Sequence, residues 1–246
     1  MPELIINGPA GRIEARYHHE PANDSPIALI LHPHPQFGGT MNNQVVYTLY
    51  HTFVERGFSV LRFNFRGVGR SQGIWDGGPG ELSDAASALD WLQIVKPDSK
   101  GCWIAGVSFG TWIAMQLLMR RPEVEGFICV APPSNLYDFS FLAPCPSSGL
   151  MINGEKDRVV PTNSVAELTQ RLKTQRGIKI THEIIPGANH FFEDKIDELK
   201  KSVSEYLDGR IELAEEARAQ EKERERERER ERQRQREGDQ KEEQGG

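Results

Sequence analysis

The sequence predicts an α/β fold, a mostly parallel central sheet with helices on both faces, and three observations predict it. Short apolar runs of strand length alternate with stretches of helical period from Pro26 onward, and parallel neighbours need crossover connections of that kind. Pro26–Leu31 (Pro-Ile-Ala-Leu-Ile-Leu) is apolar throughout, the pattern of a strand covered on both faces. The chain has 246 residues, 37% of them apolar and 8% aromatic, which is enough for one substantial core.

Taken in order, Leu4–Asn7 and Arg12–His18, separated by Gly8-Pro9-Ala10-Gly11, read as a hairpin at a sheet edge. After the Pro26–Leu31 strand, Asn43–Arg56 carries Val46, Leu49, Tyr50 and Phe53 at i, i+3, i+4 and i+7. With Gly57 at the C-terminal cap position, this predicts an amphipathic helix. Phe58–Phe65 is the next strand and runs into the glycine-rich Arg66–Gly73. Leu82, Ala85, Ala86, Leu89 and Leu92 share one face of a helix over Glu81–Leu92. Cys102–Val107 is a buried strand, followed by Ser108 and by a helix over Thr111–Met119. Gly126–Ala131 and Gly149–Asn153 are two more buried strands. The Pro- and Ser-rich Pro132–Ser148 between them is too short for a folded subdomain, so no lid domain is expected. Thr162–Gln175 reads as a helix, with Pro161 at its entrance and Ser164-x-x-Glu167 as a capping box. Ile178–Ile185 is the last strand, and Phe192, Ile196, Leu199, Val203, Tyr206 and Leu207 mark one face of a final helix.

This organisation gives a domain over residues 1–211 and a charged low-complexity tail over residues 212–246. The tail holds 13 acidic and 10 basic side chains, half of the net charge of −6. Neither part has the clustered positive excess of a nucleic-acid footprint, which excludes that partner class. Glu221–Arg236 is almost purely Glu, Arg and Gln and has no apolar face to bury. These residues are good helix formers, and within the tail no Gly or Pro precedes Gly238, so a solvated helix or a disordered tail is expected. The Glu-Arg alternation makes i, i+3 pairs opposite in charge and i, i+4 pairs alike, so pairing helps and hinders in similar measure. A docking tail for a charged partner is the functional alternative. Cys102, Cys129 and Cys145 cannot pair completely and show no C-x-x-C spacing, so they read as reduced core residues. The N-terminus lacks a basic segment followed by an apolar one, and no run approaches the ~18 apolar residues of a membrane span. A cytoplasmic protein with no membrane partner is expected.

The chemistry is carried by Gly106-Val107-Ser108-Phe109-Gly110. A strand precedes Ser108 and a helix follows it, which is the context the G-x-S-x-G motif requires. The backbone passes so close to itself at this turn that a Cβ beside the serine would collide, which favours glycine there. A Gly-flanked Ser at an ordinary turn is the plain alternative. A serine hydroxyl needs a base within hydrogen-bond reach and a third group to orient that base. Ligands of such sheets bind outside the carboxyl ends of the strands. Two loops at that edge supply candidates: Asp157 in Asn153–Pro161, with Glu155 as its rival, and His190 in Pro186–Phe192. His18, His19, His51 and His182 read as surface or strand positions. His32 and His34 lack a third metal ligand at suitable spacing and read as shaping their loop.

The stretch from about Leu4 to Ile211 resembles an α/β-hydrolase. Gly106–Gly110 is similar to the family's nucleophile elbow, Gly154-x-x-Asp157-x-x-Val160-Pro161 to its acid loop, Gly187-x-x-His190 to its histidine loop, and Phe65–Ser71 to its R-G-x-G-x-S loop. His32–Met41 (His-Pro-His-Pro-Gln-Phe-Gly-Gly-Thr-Met) resembles a segment of small lidless bacterial serine hydrolases of the dienelactone-hydrolase and prolyl-oligopeptidase-like kind. The resemblance implies catalysis by Ser108, Asp157 and His190 through an acyl-enzyme, on a small carboxylic ester or thioester, with no metal or organic cofactor. It also implies an oxyanion hole of two backbone N–H groups, the first on Phe109. Pro33 and Pro35 have no N–H, and alignment with the family's loop points to Gln36 for the second, with His34 the alternative. A prolyl-oligopeptidase-like peptidase is the competing enzyme. A non-catalytic binding protein on the same fold is the competitor from another class, against which the intact Ser-Asp-His set argues.

Overall fold

A computed structural model describes residues 3–173 and 177–244 of the chain. Its elements are β1 (Glu3–Gly8), β2 (Gly11–His18), β3 (Ile27–Leu31), α1 (Gln44–Val54), β4 (Ser59–Phe63), α2 (Pro79–Val95), β5 (Cys102–Val107), α3 (Phe109–Leu118), β6 (Val124–Val130), β7 (Ser148–Gly154), α4 (Thr162–Lys173), β8 (Ile180–Ile185) and α5 (Ile196–Gln244). The strands form one sheet in the order β1-β2-β4-β3-β5-β6-β7-β8. The hairpin β1/β2 and the pair β2/β4 are antiparallel, and all other pairs are parallel. This is the expected α/β-hydrolase architecture. Every residue of β3, β4 and β5 is buried, as strands covered by helices on both faces must be. Among the described residues, only a single 3-10 turn at Ser140–Leu142 lies between β6 and β7, so no lid covers the sheet edge.

Three local expectations need correction, each for a physical reason. Helix α2 starts at Pro79 rather than Glu81, because the Glu81 carboxylate turns back to accept the Gly78 and Asp76 N–H groups at 2.7 and 3.0 Å and closes the first turn. Ser164 does not cap α4. It lies inside the helix, and its hydroxyl donates to the Pro161 carbonyl at 2.8 Å. Phe192 is fully buried but precedes α5, held at φ 56 in the loop after β8. The C-terminal end expected for α4, Gln175, lies outside the described residues.

The cysteines are free and buried, and burial pushes the Cys102 thiol up to about 12. No helix among the described residues is long and apolar enough to cross a membrane. The chain divides into two compact units, Met1–Val203 and Ser204–Gly246. In the first, Leu199 and Val203 of α5 are buried. In the second, residues 221–228 are all exposed, and Arg226 faces Glu223 one turn earlier at 3.8 Å. Such exposed pairs contribute at most a few tenths of a kcal/mol.

The end of β3 is fastened by His32, which is completely buried. Its Nδ1–H donates to the Pro33 carbonyl at 2.6 Å and its Nε2 accepts the Phe65 N–H at 3.0 Å. The ring also lies 4.6 Å from that of Phe65. Both nitrogens are therefore occupied, and the imidazole ties the loop after β3 to the end of β4. Burial is the main cause that pushes its pKa down to about 3.

Two outcomes follow from this packing. Truncation after Ile211 should leave the thermal unfolding midpoint in place. A fall of more than about 4 °C, equivalent to ~1 kcal/mol or more, would show that residues 212–246 hold the domain together. For His32, the unfolded imidazole takes up a proton near pH 6.5, whereas the folded one does so only near pH 3. Its stabilisation is complete above that upper value and drains away as pH falls through the window between the two. The slope is at most ~1.4 kcal/mol per pH unit. In urea unfolding at pH 7.5 and pH 5, the wild type should lose about 2 kcal/mol more than His32→Gln. Equal losses would refute the assignment.

Candidate active site

The site is assembled at the carboxyl ends of β3, β5, β7 and β8. Strand β5 delivers Ser108 into a turn with φ 50 and ψ −120, conformations a non-glycine residue adopts only under constraint. The constraint is visible at the neighbouring glycines. A Cβ on Gly106 would lie 2.6 Å from the backbone of Gly110, and one on Gly110 would lie 2.5 Å from the His32 carbonyl oxygen. The Ser108 N–H donates to the Val130 carbonyl at 2.8 Å, which locks the turn to the end of β6. The side chain is left partly exposed at the apex, as the glycine spacing predicts.

The structure brings Ser108, His190 and Asp157 together, from positions up to 82 residues apart. His190 Nε2 is 3.1 Å from Ser108 Oγ, and its Nδ1 is 2.7 Å from Asp157 Oδ2. The Asp157 carboxylate is buried. Its second oxygen, Oδ1, accepts the Val159 and Val160 N–H groups at 2.8 Å each, so one side chain closes the turn after β7 and orients the imidazole. Glu155 is engaged elsewhere, accepting the Gly187 N–H at 2.8 Å. It braces the histidine loop from below and leaves the ring to Asp157.

The loop after β3 forms the facing wall. It makes a 3-10 turn at Pro35–Phe37, and the His34 carbonyl accepts the Phe37 and Gly39 N–H groups at 3.1 and 3.0 Å. The Gln36 N–H donates to His34 Nδ1 at 3.2 Å, so that proton points into the loop's own histidine ring. The Phe109 N–H, at the start of α3, is one of the donors a helix leaves open, and no hydrogen bond occupies it among the described residues. The same holds for the His34 N–H. The His34 ring packs against Phe37, Trp75 and Phe109 at 4.7, 4.5 and 5.0 Å, and burial lowers its pKa.

A cleft of about 130 Å³ opens beside the serine, lined by Phe37, Val45, Val107, Ser108, His190 and Phe191 together with Pro33, Gly38, Gly39 and Asn43. No Asp, Glu, Lys or Arg lines it. Outside that lining, Trp75, Trp112 and Tyr137 gather around Phe109 at ring distances of 5.1, 5.8 and 5.6 Å. The sequence reading did not single out this aromatic wall. The available signal is an aromatic residue in each of the loops after β4 and β6, Trp75 and Tyr137.

The glycine-rich loop after β4 supports that wall and takes no direct part in the row of three. Arg66 makes a two-pronged pair with the buried Asp84, Nε to Oδ2 at 3.0 Å and Nη2 to Oδ1 at 2.8 Å, and this pairing raises its pKa. Ser71 Oγ donates to the Asn64 carbonyl at 2.7 Å and accepts the Glu14 N–H at 2.9 Å. Glu14 Oε2 in turn accepts from Asn64 Nδ2 and the Arg70 N–H. These contacts hold the loop that carries Trp75 against Phe109.

Known proteins resemble this chain over most of its length. Residues 12–243 match the family described as X-Pro dipeptidyl-peptidase (S15 family). The uncharacterized protein RP471 of Rickettsia prowazekii is 52% identical over 211 residues, which are 84% of this chain and 89% of that protein. The crystal structure of ATU1826 from Agrobacterium tumefaciens, a candidate α/β hydrolase of unknown function, superposes with a TM-score of 0.84. It is 65% identical, and the match covers 86% of this chain and 97% of that one. XC6422 from Xanthomonas campestris, described as an α/β serine hydrolase without a lid, superposes with a TM-score of 0.74 at 30% identity, covering 83% and 92% of the two chains. The chain is thus an α/β hydrolase and belongs to the S15 family.

Proposed function

We propose that this chain is a serine hydrolase that cleaves small carboxylic esters or thioesters through an acyl-enzyme on Ser108. The observation that carries the reading is the unbroken row Ser108 Oγ, His190, Asp157, with separations of 3.1 and 2.7 Å. In the first step Ser108 Oγ attacks the carbonyl carbon and its proton passes to His190 Nε2. Asp157 accepts the Nδ1–H bond and keeps the imidazole in the tautomer whose Nε2 is basic. The carbonyl oxygen becomes an anion, stabilised by the Phe109 N–H and a second N–H from the loop after β3. Of the two loop positions, His34 has its N–H unengaged, whereas that of Gln36 is directed to His34 Nδ1. On collapse the carbon–leaving-group bond breaks, and His190 gives its proton to the departing oxygen or sulfur. A water then repeats the sequence on the acyl-enzyme and releases the acid.

The family description favours a second reading, cleavage of an amide after proline. In that chemistry the X-Pro portion becomes the acyl group, and its terminal ammonium needs an anionic partner on the acyl side of Ser108. Rates on an activated acetyl ester and on an X-Pro anilide, measured side by side, decide between the two.

A fluorophosphonate should label the protein at Ser108. Ser108→Ala should lower kcat on the activated ester by about 10⁴-fold or more while the unfolding midpoint is kept. Unchanged activity in that variant sinks the reading. Asp157→Asn should lower kcat by a similar ~10⁴-fold, because the amide favours the wrong tautomer, and Glu155→Gln should have far less effect. The reverse pattern would show that Glu155 is the acid.

A further inference from the structure

The cleft beside Ser108 lies on one side of the reacting centre, and its lining says which part of a substrate it receives. We propose that it is the leaving-group subsite, that Phe37 and Phe191 are its specificity-determining walls, and that it takes a short, uncharged, apolar alcohol or thiol. This inference rests on the acyl-enzyme reading given above.

The assignment comes from proton transfer. The imidazole that accepts the Ser108 proton must hand it to the departing atom, so the leaving group has to lie within reach of His190 Nε2. His190 and its neighbour Phe191 line the cleft, as does Val107 on the strand side of the serine. Phe109, which carries an N–H for the oxyanion, does not, nor do Trp75, Trp112 and Tyr137. The loop after β3, which carries the second oxyanion donor, borders the cleft through Pro33, Phe37, Gly38 and Gly39, and with the alcohol in the cleft the acyl group falls to the side of the aromatic wall.

The chemistry of the occupant follows from the walls. Phe37, from the loop after β3, and Phe191, from the loop after β8, face the same cleft and are 84% and 59% exposed. They present apolar surface at the mouth with nothing over it. The side-chain oxygen of Asn43 is already used: Oδ1 caps α1 by accepting the Val45 and Val46 N–H groups at 2.9 and 3.3 Å. A charged leaving group would find no counter-ion in this lining and would lose its water without compensation. The volume of about 130 Å³ is well below the roughly 300–1,000 Å³ of sites that hold drug-sized ligands, which limits the alcohol to a few carbon atoms.

A subsite for the leaving group acts only while that group is present, and this separates the proposal from any general effect of the substitutions. Deacylation of a given acyl-enzyme begins after the alcohol has gone. The test compares acetates of methyl, ethyl, propyl and butyl alcohol with the methyl esters of acids of the same lengths, using wild type, Phe37→Ala and Phe191→Ala. Both phenyl groups are on the surface, so the variants should fold. The expected result is a loss of kcat/KM on butyl acetate that exceeds the loss on methyl acetate by roughly tenfold or more, since even one methylene group provides about tenfold discrimination in an apolar pocket. Breakdown of the acetyl-enzyme, followed by intact-protein mass after rapid mixing with p-nitrophenyl acetate, should keep its rate. If instead the loss tracks the length of the acid, or breakdown of the acetyl-enzyme slows, the cleft holds the acyl group and the proposal is overturned. If the wild type forms no acetyl-enzyme at Ser108, the underlying catalytic reading has failed, a result told apart because a misassigned cleft still leaves Ser108 acylated.

Discussion

The site depends on one close approach: Gly110, at the start of α3, lies against the last carbonyls of β3. A Cβ there would meet the Leu31 and His32 oxygens at 2.6 and 2.5 Å. Any side chain would push α3 away from β3, and with it the Phe109 N–H away from the loop that begins at Pro33. The Ser108 turn and the loop after β3 are thus held together by backbone contact, with no flexible group between them. The tightness also forces Ser108 to a positive φ, a strain of about 1–3 kcal/mol that the surrounding sheet must offset. His32 completes the arrangement from below by using both ring nitrogens to hold the β3 loop to β4.

Much of this was legible in the sequence, because it is written in short-range patterns. Eight segments of strand length correspond to the eight strands, the first two marked by the turn between them and the others by their apolar residues, and the alternation with helical periods implied the parallel sheet. The glycines of Gly106–Gly110 announced the tight turn, since only a missing Cβ permits it. Asp157 and His190 were legible as candidates because each follows a strand that ends at the same edge of the sheet. What was not legible depends on which hydrogen bonds compete in three dimensions. Ser164 has the spacing of a cap, yet its hydroxyl turns back to the Pro161 carbonyl. Phe192 fits the apolar period of α5 but belongs to the preceding loop. Alignment pointed to Gln36 as an oxyanion donor, while the ring that takes its N–H lies two residues away, a local contact that no alignment encodes.

The polar interior follows the same logic. Glu14, Asn64, Ser71 and Asp84 are buried, yet each is hydrogen-bonded, and together they position two loops at the sheet edge. Buried polar groups are tolerated when all their partners are in place. Their partners come from β2, the end of β4 and α2, separated by up to 57 residues, so no window of sequence contains the set. The Arg-Gly-x-Gly-x-Ser pattern is the visible trace of this network, and its role is architectural.

The acid loop and the histidine loop are joined at several points besides the imidazole. The Lys156 N–H donates to the Ala188 carbonyl, the Glu155 N–H to the Ile185 carbonyl, and the Gly187 N–H to the Glu155 carboxylate, at 2.9, 3.0 and 2.8 Å. Gly154 lies so close to the Ala188 oxygen that a Cβ would stand 2.3 Å from it. These backbone contacts tie the two loops into one body, so the Asp157–His190 pair does not rest on its own hydrogen bond alone. The Ser108–His190 distance is different, because it bridges that body and the β5 turn through a single hydrogen bond between side chains. Any change in the placement of that body relative to the β5 turn is therefore felt first in this one distance, which under the proposed mechanism is the one the first proton crosses.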